Sequence, residues 1–151
     1  MSHATYLSPI GPIFVTARDA ALAGLRIGKA GGDDRSDAII GEALAQLDAW
    51  FAGRLVDFDL PLDPLTTPRG EAHRAAMIAI PYGETQSYGE IARRIASSPR
   101  AVGQACRRNP LPIIVPCHRV LAAGGAIGHY SAGDGVPTKA WLLQHERQRK
   151  G

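Results

Sequence analysis

Apolar and polar positions alternate with two different periods along this chain, and the switches between them divide it into elements. Residues 8–32, "SPIGPIFVTARDAALAGLRIGKAGG", hold two β-capable runs either side of the turn-prone Arg18-Asp19, which predicts a hairpin ended by Gly31-Gly32. Ile39, Ile40, Ala43, Leu44, Leu47, Trp50 and Phe51 then recur at helical spacing, with Ser36 or Asp37 as the cap and Gly53 as the stop. "VDFDL" alternates strictly and predicts a half-buried strand, with Val56, Phe58 and Leu60 on one face. Prolines at 61, 64 and 68 mark a boundary between an N-terminal lobe, 1–64, and a C-terminal lobe, 65–151.

The second lobe reads as helical. "GEAHRAAMIAI" forms a helix ending at "PYGET". "SYGEIARRIA" opens with a capping box, Ser87 to Glu90, and places Ile91 and Ile95 toward a core. "SSPRAVGQACRRN" starts a further helix, with Ser98 as cap and Pro99 at the first helical position. Two short helices and a tight turn predict a helix-turn-helix. A purely structural helix pair gives the same pattern. The second of these helices is rich in small residues (Ala101, Val102, Gly103, Ala105, Cys106), so its backbone can approach a neighbour closely. A Gly-rich loop, "AAGGAIGHYSAGDG", and a closing helix, "TKAWLLQHERQRK", complete the lobe.

Composition narrows the class. Hydrophobic residues at 45% with 21% charged put the chain outside the disordered range. No apolar run reaches the ~20 residues of a membrane span. The start lacks the pattern of a signal peptide, so the expectation is an intracellular, cytoplasmic protein without membrane association. Two cysteines provide no disulfide framework, and five scattered histidines make a closed zinc site an unfavoured reading, so no metal is assigned. Charge is more informative. Residues 1–65 hold nine acids and five bases; residues 66–151 hold five acids and twelve bases. No acid occurs from Ile91 to Gly133, a window containing Arg93, Arg94, Arg100, Arg107, Arg108 and Arg119. A one-signed arginine field suits a polyanionic partner, although a solvated basic face would look the same.

Cys117 sits inside that field, after a proline and before His-Arg, in "NPLPIIVPCHRV". A nucleophilic cysteine must be a thiolate near neutral pH, below its usual pKa of about 8.5. His118, Arg119 and a helix start from Val120 onward are the means available in the sequence. A carboxylate orienting His118 would complete a relay. Of the two acids downstream, Glu146 on the apolar face of the closing helix fits better than Asp134.

"PCHRV", with "RAVGQACRRNPLPIIV", "IPYGETQSYGEIA" and "YSAG…KAWLLQHE", closely resembles the O6-alkylguanine-DNA alkyltransferases. The resemblance is strong from about Ile80 to Glu146 and weaker, though in register, before that. It implies an α/β N-terminal lobe (a small antiparallel sheet plus helix, ribonuclease-H-like) and a mainly α, winged-helix-like C-terminal lobe with a helix-turn-helix. It implies that Cys117 accepts an alkyl group from guanine O6, that His118 deprotonates it through a water, and that Glu146 holds His118. Asn109 corresponds to the residue fixing the turn before the active-site segment. Tyr88, Val120, Tyr130, Ser131 and Ala132 correspond to the base pocket. Arg100 corresponds to a finger that replaces the extruded nucleotide. Ala101, Gly103, Gln104, Arg107 and Arg108 lie on the helix that family members insert into the minor groove. The partner so implied is double-stranded DNA carrying O6-alkylguanine, with O4-alkylthymine as a second substrate. The expected protein is a monomer that needs no cofactor and acts once.

Three positions depart from the family pattern. Ala132 stands where many members have glycine, and its methyl would narrow the pocket. The Tyr130–Trp141 loop is about two residues longer than the common form. "RGEAHRAAM" lacks the Phe and Trp often present there. Two rival functions remain open at this stage: a non-catalytic module that marks alkylated DNA, against which Cys117 argues, and a cysteine hydrolase. Cys106 is expected to be a helix-face residue, not a second acceptor.

Overall fold

The computed structural model describes residues 1–150, with side chains through residue 148. The chain divides into two compact units, Met1–Asp63 and the residues from Pro64 onward.

The first unit is a three-stranded antiparallel sheet in the order β1-β2-β3, built from β1 (Ser2–Ser8), β2 (Gly11–Arg18) and β3 (Ala21–Ile27). Asp19 and Ala20 both take positive φ, +52° and +61°, as a two-residue turn joining twisted strands requires. Ala4, Ile13, Val15, Ala17, Leu22 and Leu25 are buried. The helix α1 (Ala38–Phe51) supplies Ile40, Ala43, Leu47 and Trp50 to the same core. Of the two candidate caps it is Asp37 that accepts the Ile40 N–H, at 3.1 Å.

Two expectations for this unit need correction. The hairpin is the second half of a meander, because Ser2–Ser8 forms an additional strand paired along its whole length with β2. "VDFDL" is not a strand. The backbone N–H and C=O of Asp59 both bond the side chain of Gln46, at 2.9 Å each, and Val56 is 49% exposed. A glutamine on α1 thus takes the hydrogen bonds a neighbouring strand would have made, and only Leu62 forms an isolated bridge, to Leu22.

The second unit contains α2 (Pro68–Ile78), β4 (Gln86–Ser87), α3 (Tyr88–Arg94), α4 (Pro99–Arg107), β5 (Val120–Leu121) and α5 (Val136–Lys150). Helix α2 begins two residues before Gly70, with Thr67 as its cap and Pro68 in the first turn. The Ser87–Glu90 box closes reciprocally, at 3.0 and 3.1 Å. Ser98 caps α4 through the Ala101 N–H, and α3 and α4 form the helix-turn-helix. Val120 does not start a helix: Val120–Leu121 pairs in parallel with Gln86–Ser87. Among the described residues, no helix is long and apolar enough to cross a membrane.

Candidate functional site

Cys117 is positioned by the segment that leaves α4. Asn109 clamps that segment, its Nδ2 donating to the Val115 carbonyl at 2.9 Å and its Oδ1 accepting from the Leu111 N–H at 3.0 Å. Ile113, inside the clamp, adopts φ +76°, an unusual conformation for a β-branched residue that its surroundings must hold. Every residue from Leu111 to Val120 is buried. Cys117 itself opens a short 3-10 turn, Cys117–Arg119.

The next two side chains both turn to Glu146. His118 Nε2 lies 2.8 Å from Glu146 Oε2. Arg119 donates from Nε to Oε1 at 2.9 Å and from Nη2 to Oε2 at 2.8 Å, and its Nη1 donates to the Ile80 carbonyl at 2.7 Å. The Gly83 N–H adds a donor to Oε1 at 3.3 Å. None of His118, Arg119 and Glu146 is more than 5% exposed. Burial alone would raise the Glu146 carboxyl, but hydrogen bonds and charge from His118 and Arg119 outweigh it and hold the group well below the usual carboxylate range. Burial lowers His118, against the pull of Glu146, so the imidazole rests neutral. Arg119 is therefore the permanent cation of the network. It is not a neighbour that ionises the sulfur, as its place in the sequence suggests.

Burial pushes the Cys117 thiol up, while the Asn109 side chain and Lys139 pull it down. The resting group is a thiol. Lys139 is a site residue that sequence reasoning missed: it is 1% exposed and its Nζ donates to the Val120 carbonyl at 2.7 Å and the His129 carbonyl at 3.2 Å. The signal was present, since Lys139, Leu142, Leu143 and Glu146 fall on one stripe of α5 at helical spacing. The same bond engages the carbonyl of Val120, a residue expected in the base pocket.

A cavity of about 10 Å³ separates Cys117 from the surface, lined by Tyr88, Gly103, Cys106, Arg107, Cys117, His129, Tyr130 and Ser131. Tyr88, Tyr130 and Ser131 are thus gathered at the sulfur, whereas Val120 and Ala132 are not part of this lining. Tyr88 Oη accepts from the His129 N–H. A Cβ on Gly128, which has φ +74°, would stand 3.4 Å from that hydroxyl. Cys106 contacts Met77 Sδ at 3.9 Å, and burial raises its thiol to about 12.

On α4, Arg100 and Arg107 are exposed, as is Arg108 at its C-cap, and Ala101, Gly103 and Gln104 are half-buried. Arg107 borders the small cavity; Arg108 borders a separate groove of about 590 Å³ between α2 and α4. Gly103 has nothing within 4 Å of where a Cβ would sit. A mid-helix glycine costs roughly 0.5–1 kcal/mol relative to alanine, and nothing inside the protein requires it. Arg94, by contrast, is committed internally to Gln86 at 2.6 Å and to the Ala76 carbonyl at 3.2 Å.

Two family models match this chain. One, described as the 6-O-methylguanine DNA methyltransferase ribonuclease-like domain, matches residues 1–64, and the other, the DNA binding domain of the same proteins, matches residues 71–148. The chain belongs to the 6-O-methylguanine DNA methyltransferase family. The methylated-DNA–protein-cysteine methyltransferase of Mycobacterium leprae is 40% identical over 94% of this chain and 90% of its own. That of Methanosarcina acetivorans is 40% identical over 97% and 98%. The crystal structure of Mycobacterium tuberculosis OGT in complex with DNA superposes with a TM-score of 0.87 at 40% identity, over 99% of this chain and 94% of that one. Both folds expected of a 6-O-methylguanine DNA methyltransferase, the ribonuclease-like sheet with its helix and the helical unit with a helix-turn-helix, are present.

Proposed function

We propose that this protein repairs alkylated DNA by moving the alkyl group from guanine O6 to Cys117, as a methylated-DNA–protein-cysteine methyltransferase. The observation that carries the reading is a buried Cys117 lining a small cavity beside α4, followed at once by a buried His118 whose Nε2 bonds Glu146. Its relatives carry the matching name over nearly their whole length.

The chemistry follows from the resting states. Glu146, itself held by Arg119, bonds Nε2 of a neutral His118, so Nδ1 is the ring atom that receives the thiol proton, through a water. The imidazolium that forms gains Glu146 as its counter-ion. The sulfur then forms a bond to the alkyl carbon as the carbon–O6 bond breaks, its electron pair going to O6, and guanine is restored by taking up a proton. A thioether has no easy hydrolytic route, so each molecule acts once. No cofactor enters the scheme.

A base inside the stack cannot meet the sulfur in line, so the nucleotide must rotate out, at a cost of a few kcal/mol. Arg100, exposed on α4, offsets part of that cost by filling the gap. The unsupported glycine at 103 and its small neighbours support close approach of α4 to a groove. The cavity of about 10 Å³ admits one water and no purine, so the 126–135 loop must shift to admit guanine. O4-alkylthymine presents the same alkyl–oxygen bond and is a second substrate of this reading.

Incubation with a duplex carrying O6-methylguanine, followed by intact mass measurement, tests the proposal. One methyl increment on the Cys117 peptide, absent from Cys117→Ser, is expected. Binding without mass gain would instead favour a recognition module, and repeated turnover a hydrolase.

A further inference from the structure

Several groups around the small cavity can act on the Cys117 sulfur, and most are already engaged. Tyr88 Oη bonds the His129 N–H. Ser131 Oγ lies 3.2 Å from His129 Nε2. Cys106 Sγ is directed at Met77 Sδ. Lys139 Nζ holds two carbonyls.

Tyr130 differs from all of these. It is 6% exposed, and its hydroxyl is buried with no hydrogen-bond partner among the described residues. Leaving a buried hydroxyl unpaired is costly, and native proteins rarely accept that without a use for the group. The cavity fixes what that use can be. At about 10 Å³ it has the size of a single water, and Tyr130 and Cys117 both line it. Of the charges felt by the Tyr130 hydroxyl, that of Cys117 acts most strongly, ahead of Cys106 and Glu146.

We propose that Tyr130 Oη donates a hydrogen bond to the sulfur of Cys117, directly or through one water, when the thiol proton leaves for His118. The inference rests on Cys117 being the reacting sulfur. It answers a problem the burial of the site creates. Cys117 is removed from water, Arg119 is committed to Glu146, and the thiolate otherwise relies on Asn109 and the indirect field of Lys139. A phenol O–H supplies a donor that adds no charge to the pocket. When the sulfur becomes a thioether, it is a poor acceptor and the donor is released toward the departing guanine oxygen.

The other ionisable groups facing the sulfur are His118 beside it, Cys106 and Arg107 on α4, Tyr88 on α3, Lys139 on α5 and His129 on the loop. All are retained when Tyr130 is replaced by Phe, so the comparison isolates one hydroxyl. The measurement is the rate of Cys117 carboxamidomethylation by iodoacetamide against pH, read by peptide mass so that Cys106 is scored separately. Transfer from O6-benzylguanine is followed in parallel. A hydrogen bond to a charged group is worth about 1.5–3 kcal/mol, so Tyr130→Phe is expected to react roughly tenfold or more slowly at neutral pH. Its rate should converge on that of the unaltered protein as the pH rises past the thiol pKa. Slowing by the same factor at every pH, or no slowing, overturns the proposal. If Tyr130→Phe fails to fold by circular dichroism, 3-fluorotyrosine at position 130 keeps the ring and strengthens the donor. The midpoint of the profile should then move to lower pH, and an unmoved midpoint overturns the proposal. Failure of the unaltered protein to take up a methyl group from an O6-methylguanine duplex sinks the alkyltransferase reading alone, since the iodoacetamide profile still reports on Tyr130 and the sulfur.

Discussion

The arginines of α4 and the arginine beneath Cys117 belong to one acid-free stretch of sequence, yet the fold uses them in opposite ways. Arg100 and Arg107 on the helix and Arg108 at its C-cap are exposed, and α4 carries no acid. Arg119 is buried, bidentate to Glu146 and bonded to the Ile80 carbonyl. Exposed guanidinium groups cost little to keep and remain available to a polyanion. A buried one is tolerated because each of its three nitrogens finds an acceptor, two of them on a carboxylate. Net charge along a sequence thus measures the DNA-facing surface only after the internally committed arginines, Arg94 and Arg119, are set aside.

That contrast is open to direct attack. The largest effect is expected from Arg119→Leu, which leaves the Glu146 carboxylate buried without its permanent counter-ion. Breaking such a pair costs about 3–5 kcal/mol, to be read from urea unfolding. The same network predicts acid sensitivity. Glu146 is held below, and His118 also below, the pKa each has in an unfolded chain. The unfolded state therefore takes up protons first as the pH falls. The His118 contribution is fully present above about pH 6.5 and the Glu146 contribution above about pH 4.3, and each fades as the pH drops through its window. Arg119→Leu should flatten the lower part of that loss, and an unchanged slope there would remove Arg119 from the account.

Next in size is Arg100→Ala. If the side chain substitutes for an extruded nucleotide, about 1.5–3 kcal/mol of support is lost, or roughly 10–100-fold in repair of duplex DNA. Transfer from free O6-benzylguanine should hardly change. Equal losses on both substrates would reassign Arg100 to the fold. The smallest effect belongs to Arg107→Gln and Arg108→Gln. Each is expected to weaken duplex binding for any sequence and to reduce the slope of log K against log salt by about 0.9 if one phosphate contact is lost. An identical slope would make both arginines bystanders.

Much of the architecture was legible because it depends on local chemistry. The Ser87–Glu90 box, the Ser98 and Pro99 start and the Asp37 cap each satisfy backbone donors within one turn, so their spacing alone identifies them. β1 was harder to see because two of its inward positions are Ser2 and Ala4, small groups that give no hydrophobic alternation. "VDFDL" misled for the converse reason: its alternation is real, but Gln46, thirteen positions earlier, takes the backbone groups of Asp59. At the site, Cys117, His118, Glu146 and Asn109 were named from the sequence, and the structure joins His118 to Glu146 and Asn109 to the segment before Cys117. The targets of Arg119 and Lys139 were not legible, because the direction a side chain takes depends on which distant element lies across from it.

Helix α5 carries both Glu146 and two leucines, Leu142 and Leu143, that complete the second unit's core. A chain that ends before this helix therefore lacks both the carboxylate that His118 and Arg119 bond and the apolar face packed against the Cys117–Arg119 turn.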